Sequence, residues 1–384
     1  MKNIIISILI TSCLFTGIVN GKEKKLPDKV EMAIENIITG GKVDTKAVVT
    51  DDNIKNLYDF ILSAANDDHL WQIKPRRGAK GAAIIRSFNI PFKKVLEINL
   101  ASGLSDAAFF YNVLRYSKKI NLSPQSKKFF SETSKSLNTN ESFETSYLSV
   151  ECITPNLQSG AYYSYTNSRT ITRANINGTE IMISISDMLE PSSFSMRGIP
   201  VGPVDDGVFY YSQKPGMNMP GVTWVKSQMY ISSTISVYME MPDNKTAVAM
   251  FSWQSAGWKG MNIIKSYHIY TVLQNTLKTF NDVFGNPKIN VQSTTDIIIK
   301  INKMSPKTKN ALYKEYCNYV RKWSYKKPKG LNPFRKSAIA KIFNEKSLNN
   351  MKQDYKDILI IQEFIRNLLG KPTWSAKSLL KLTF

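Results

Sequence analysis

The sequence predicts an α+β fold: a mostly antiparallel sheet with a closing C-terminal helix, followed by a small basic helical domain. Three observations predict it. Between Ser146 and Trp253 apolar and polar residues alternate, as a half-buried strand requires. Asn177-Gly178 and Pro242-Asp243-Asn244-Lys245 interrupt that alternation as hairpin turns, Asn-Gly being favoured because both positions tolerate positive φ. On either side of this region apolar residues recur three and four apart, the spacing of helices.

The first element is a leader. Met1-Lys2-Asn3 carries one side-chain positive charge, Ile4 to Val19 is largely apolar, and Val19-Asn20-Gly21 precedes the polar Lys22-Glu23-Lys24-Lys25. This is the pattern of a signal peptide, 1–21, and implies an exported protein: periplasmic, cell-surface or secreted. The apolar run is short for a membrane span of about 20 residues. Ile10-Thr11-Ser12-Cys13 resembles a bacterial lipobox, which would place a lipid anchor on Cys13. Cutting there leaves Leu14-Phe15 and Ile18-Val19 on the mature chain, so cleavage after Gly21 is preferred.

Residues 22–81 form a helical N-terminal segment. In its second helix, begun at Asp51-Asp52, Ile54, Leu57, Tyr58, Ile61, Leu62 and Ala65 make one stripe. Lys74 to Gly81 is a basic, turn-rich loop. Arg76, Arg77 and Lys80 are candidate anion contacts, although the G-x-x-x-x-G-K-[ST] spacing that wraps phosphates is missing.

An α+β domain follows over 82–285. Strands are expected at Ala82–Ile90 and Val95–Leu100, and a buried helix at Leu104–Tyr116. Arg169–Asn175 pairs with the run containing Ile181, Ile183 and Ile185. Ile235, Val237, Met239 and Met241 pair with Ala247, Ala249, Phe251 and Trp253. A helix over Lys259–Phe284 ends at Gly285 and Pro287, which marks a domain boundary.

Residues 286–384 read as a basic, mainly helical C-terminal domain with a strand at Asp296–Ile301. Ser305-Pro306 starts a helix whose inner face holds Leu312, Tyr316, Tyr319, Val320 and Trp323. Asn332-Pro333 starts a second helix, and Met351–Leu369 is a third.

Charge is uneven along the chain. The whole carries 51 basic and 30 acidic residues. From Asn286 to Phe384 there are 21 basic and 6 acidic, a balance of +15; residues 1–285 hold 30 and 24, a balance of +6. Such a concentration points to an anionic lipid surface or another polyanion, with nucleic acid as the alternative partner. The plain reading is a solvated basic surface. Arg321, Lys322, Lys326, Lys327, Lys329, Arg335 and Lys336 are the candidate contacts.

Two segments, Glu190–Gly207 and Gln213–Val225, are rich in apolar residues for loops. The plain reading is that both loops fold over the sheet and close its core; in the alternative, Phe194, Met196, Met217, Met219 and Trp224 are the candidate lining of an apolar small-molecule site. His69 and His268 lie in no catalytic motif, and no G-x-S-x-G elbow is present. No catalytic residue, metal ligand or cofactor is assigned. An unrecognised hydrolase ranks below a non-enzymatic binding protein. Cys152 and Cys317 stand in different expected domains and do not make a disulfide framework.

The order of elements from Ala82 to Phe284, with Phe110-Tyr111-Asn112-Val113-Leu114-Arg115, the Ser-rich stretch after it and the paired hairpins, resembles a domain-of-unknown-function family of spirochaete secreted proteins. That resemblance implies export and no assigned activity, and the basic tail departs from it. A sheet closed by a long C-terminal helix also resembles the helix-grip shape of lipid-binding folds, an analogy of fold alone.

Overall fold

The computed structural model describes residues 23–39, 52–65, 67, 69–100, 105–136, 142–155, 160–176, 178–200, 209–219, 223–325, 351–371 and 373–374. The expected signal segment 1–21 lies outside them, as does the helix expected at Asn332-Pro333. Helix and antiparallel strand share the chain, so the α+β class holds.

The strands are β1 (Glu23–Lys25), β2 (Leu70–Gln72), β3 (Lys80–Phe88), β4 (Leu114–Ile120), β5 (Phe143–Ile153), β6 (Tyr163–Ile176), β7 (Thr179–Met188), β8 (Met196–Pro200), β9 (Phe209–Pro215), β10 (Met217–Met219), β11 (Thr223–Val225), β12 (Gln228–Met241), β13 (Lys245–Trp258) and β14 (Met261–Asn262). The main sheet runs β1-β2-β3-β13-β12-β7-β6-β5-β4, with β14 paired to β13. Only the β1–β2 pair in it is parallel. Both expected hairpins form. Ile176 pairs with Thr179 around a turn in which Gly178 has φ 85°, and Met241 pairs with Lys245 around Asp243 and Asn244, both at positive φ.

Helices cover both faces. On one, α1 (Asp28–Thr39) and α2 (Asp52–Ala64) lay Val30, Ile34, Leu57 and Ile61 against Ile85, Ile183, Val237 and Phe251. The N-terminal segment is therefore more than helical: it adds β1 and β2 to the sheet edge and roofs one face. On the other face lies α6 (Ser266–Phe284), with Tyr270, Leu273, Leu277 and Phe280 buried. Around it are α3 (Phe92–Leu100), α4 (Asp106–Phe109), α5 (Pro124–Ser136), α7 (Val291–Lys303), α8 (Pro306–Tyr325) and α9 (Gln353–Leu368).

Several expected elements change type. Val95–Leu100 lies in α3, and Asp296–Ile301 in α7; in both, buried residues three apart (Val95 and Ile98; Ile298 and Ile301) face a core from one side. Of the helix expected at Leu104–Tyr116, the described residues form the short α4 and the start of β4, because Leu114 and Tyr116 pair with Ile153 and Cys152 at the sheet edge. The helix expected from Lys259 begins only at Ser266, after the β13–β14 turn.

The boundary expected at Gly285 ends a helix without ending a packing unit. Ile298, Tyr316, Ile360 and Phe364 join the same buried cluster as Phe109, Tyr238 and Phe280. Tyr316 Oη donates to the Phe209 carbonyl, and Gln362 Nε2 donates to the carbonyls of Ala107 and Leu114 at 2.7 and 2.9 Å.

A side ribbon, β8 paired with β9, is seated against the main body by the backbone bridge between Tyr162 and Met196. At Gly198 an added Cβ would lie 1.9 Å from the Gly160 carbonyl oxygen. Gly198→Ala should therefore cost about 2 kcal/mol or more in a urea melt. An unchanged midpoint would mean that the ribbon is not held there.

Candidate ligand-binding site

Side chains alternate between the faces of a strand, and the register sorts them here. Ile181, Ile183, Ile235, Val237, Ala249 and Phe251 face α1 and α2. The opposite, α6-bearing face is different in kind. One register row crosses five neighbouring strands as Tyr147, Arg169, Ser186, Thr234 and Ser252. The row beside it on β4, β5 and β6 is Lys119, Ser149 and Asn167. Arg169, Ser186 and Thr234 are only half-buried, so this polar stripe retains contact with solvent. Thr234 and Ser252 share a hydroxyl hydrogen bond of 2.9 Å, and Asn167 Nδ2 donates to Ser186 Oγ.

Arg169 organises one end of the stripe. Its Nη1 donates to Asp106 Oδ2 and its Nη2 to Glu151 Oε1 at 3.0 Å; Ser149 Oγ donates to the same Glu151 oxygen at 3.0 Å. Burial opposes the Arg169 charge, but Tyr147, Asp106, Glu151 and Tyr238 around it raise its pKa well above the ordinary value. Burial also raises Tyr238, to about 12, and lowers Lys119. Lys119 Nζ stands 4.5 Å from the Phe130 ring centroid and 5.7 Å from that of Tyr147. Two cations and two carboxylates thus gather with zero net formal charge. Among the described residues, Arg169 Nε and Asn167 Oδ1 are buried without a hydrogen-bond partner, the condition in which a ligand polar group gains most.

Apolar groups border the stripe. The next row on this face is Ile171, Ser184, Ser236 and Met250; the one beyond it includes Met182, Tyr238 and Val248, and the Tyr238 and Phe280 ring centroids are 6.0 Å apart. By contrast, the crevice on the opposite face, lined by Ile54, Leu57, Tyr58, Ile181 and Met239, has room for about one water molecule.

The residues singled out from sequence fall elsewhere. The two apolar segments are partly strand: β8 and β9 pair, and β10 pairs with β11. Met196 packs against the core, and Tyr163 Oη lies 3.7 Å from Met217 Sδ. Phe194 points outward, 47% exposed, with Lys226 Nζ 5.6 Å from its ring centroid. Met219 and Trp224 belong to β10 and β11, and their side chains lie outside the described residues. Arg77 makes a two-pronged contact with Asp187 at 2.8 Å, Arg76 stands 3.6 Å from Glu35, and Lys80 is exposed at the start of β3.

Arg321 and Lys322 are in α8 with side chains outside the described set; Lys326, Lys327, Lys329, Arg335 and Lys336 lie wholly outside it. Several described C-terminal cations meet acids: Lys309 with Asp357 at 2.8 Å, Arg366 with Glu363 at 3.1 Å, and Lys371 with Asp282 at 3.7 Å. His69 is 3.6 Å from Asp67, and His268 Nδ1 accepts from the Lys265 amide at the start of α6. Cys152 and Cys317 are both buried and free, burial raising the Cys152 thiol to about 12.

Fold and site together define a helix-covered antiparallel sheet with a polar inner stripe. No known protein family matches the chain, and no curated protein does. Among solved structures, human StAR-related lipid transfer protein 5 is similar over 60% of this chain and 91% of its own, at 8% identity and a TM-score of 0.28. A likeness of that degree bears on neither ligand nor mechanism.

Proposed function

We propose that this chain is an exported, non-enzymatic binding protein that takes a small amphipathic molecule on the α6-bearing face. The observation carrying this reading is the row Tyr147, Arg169, Ser186, Thr234, Ser252, polar and partly open on a face otherwise used for core. Core packing alone gives no reason to put hydroxyls, an amide and paired charges there, since each costs desolvation. A neutral hydrogen-bonding head would meet the Arg169 end without unbalancing its four charges. An apolar portion would lie toward Met182, Tyr238 and Phe280. Export is supported by the leader pattern at 1–21 and is tested by mass spectrometry of the mature N-terminus, expected at Lys22.

Binding is tested with an environment-sensitive fluorescent monoacylglycerol, neutral at its head, and a dansyl fatty acid. The neutral probe should bind with a blue-shifted emission. Thr234→Val combined with Ser186→Ala should weaken it about tenfold, the size of one or two lost hydrogen bonds, while Phe194→Ser leaves it unchanged. Absence of binding by both probes would sink this reading.

A further inference from the structure

The exposed apolar side chains of the described residues are unevenly placed. Seven large ones are exposed, and four of them, Leu189, Phe194, Met261 and Ile263, belong to one end of the main sheet. The backbone fixes this. Leu189 follows β7 and Phe194 follows shortly after; Ser192 N donates to Met229 O and Ser195 N to Ser227 O, which lays this segment along the start of β12. Gln228 pairs with Gly257 at the end of β13, and Gly257 pairs with Asn262 of β14. Leu189 and Phe194 thus lie on the outer side of β12 at this end of the sheet, and Met261 and Ile263, in and just after β14, lie on the outer side of β13. They are 56%, 47%, 52% and 37% exposed.

Cations stand among them. Lys226, Lys259 and Lys265 are exposed on the same rim, against one exposed acid, Glu190. Lys226 lies over the outward ring of Phe194. Lys259 and Gly260 form the tip of the β13–β14 turn at φ 51° and 78°, a backbone held by the hydrogen bond from Gly260 N to Tyr230 Oη at 2.9 Å. A fixed turn thus carries Met261 and Lys259 outward together. Apolar tips interspersed with lysines match a surface that is apolar beneath and negative above, the interface of an anionic bilayer. A protein partner would be expected to present acidic side chains around an apolar patch, and nothing in the chain calls for one.

We propose that this rim, Leu189, Phe194, Met261 and Ile263 with Lys226, Lys259 and Lys265, docks the protein on an anionic lipid surface. The rim is separate from the polar stripe and does not depend on a ligand there.

The full mature chain is mixed with sedimentable vesicles of phosphatidylcholine alone and of phosphatidylcholine with 30 mol% phosphatidylglycerol, roughly the anionic content that attracts basic proteins. Strong preference for the anionic vesicles is expected, falling with salt. Phe194→Ser with Met261→Ser should lower partitioning about tenfold, and Lys226→Gln with Lys259→Gln and Lys265→Gln should remove most of the anionic preference. These positions are exposed, so thermal melts should match the parent chain. Lys326→Gln with Lys327→Gln and Lys329→Gln tests the tail as the rival anchor. Rim variants that bind like the parent would overturn the proposal, whichever result the tail variant gives. So would a parent chain that binds neither vesicle, or one that prefers duplex DNA at equal ionic strength. Loss of binding in the rim variants with the tail variant unchanged supports it.

Discussion

A chain ended at Asn286 should not fold cooperatively. Thirteen buried apolar residues between Ile289 and Ile365 belong to the same cluster as the sheet and α6. Burying one large apolar side chain contributes about 1.5–3 kcal/mol. Losing all of them exceeds the roughly 5–15 kcal/mol by which a domain is stable. The polar seams go with them. Without α8 and α9, the Phe209 carbonyl loses Tyr316, and the Ala107 and Leu114 carbonyls lose Gln362. A fragment 22–286 should lack a sharp urea transition and bind a hydrophobic dye, where the chain 22–384 gives one transition. Parent-like unfolding of the fragment would establish the C-terminal region as an accessory.

The stop signal at Gly285 marks the end of a helix, while buried contacts continue past it. Gly and Pro report where a helix ends, a local property, whereas a domain ends where buried contacts cease, which no local pattern records. The hairpins are legible because a tight turn sets the register of its flanking strands: β6 against β7 at Gly178, and β12 against β13 at Asp243-Asn244. Short apolar runs are not: Val95–Leu100 is compatible with strand or helix until its neighbours decide.

The polar stripe hid for a related reason. Met182, Ser184 and Ser186 alternate with Ile181, Ile183 and Ile185, and such alternation normally means one face in the core and the other in water. Here α1 and α2 occupy the apolar face, and α6 with its neighbours closes over the polar one. The signal was present in the excess of Ser, Thr, Tyr, Asn and Arg on the inner positions of β5, β6, β7 and β12. Reading it required knowing that both faces are covered. Phe194 shows the converse: apolar composition suggests a pocket lining or a core cover, and in a segment hydrogen-bonded to β12 that ring faces outward.

Arg169→Met should be the most damaging single substitution in the stripe. Glu151 is nearly fully buried and Asp106 is 19% exposed at its side chain. Removing the guanidinium leaves Asp106 with Lys119 as a nearby cation, and leaves the Glu151 carboxylate with the Ser149 hydroxyl as its hydrogen-bond donor among the described residues. Breaking a buried pair from one side costs about 3–5 kcal/mol; the partial exposure of Asp106 and Arg169 brings the expectation to about 2–4 kcal/mol. The penalty belongs to the stranded charges, so their removal should restore stability. Adding Asp106→Asn and Glu151→Gln to Arg169→Met should recover at least about half of the loss, because neutral amides are cheaper to bury than unpaired carboxylates. Urea melts of the parent, single and triple variants at neutral pH decide it. A single variant within about 0.5 kcal/mol of the parent would show that Arg169 does not hold these carboxylates. A large loss unrelieved in the triple variant would assign Arg169 a packing role through its long side chain instead.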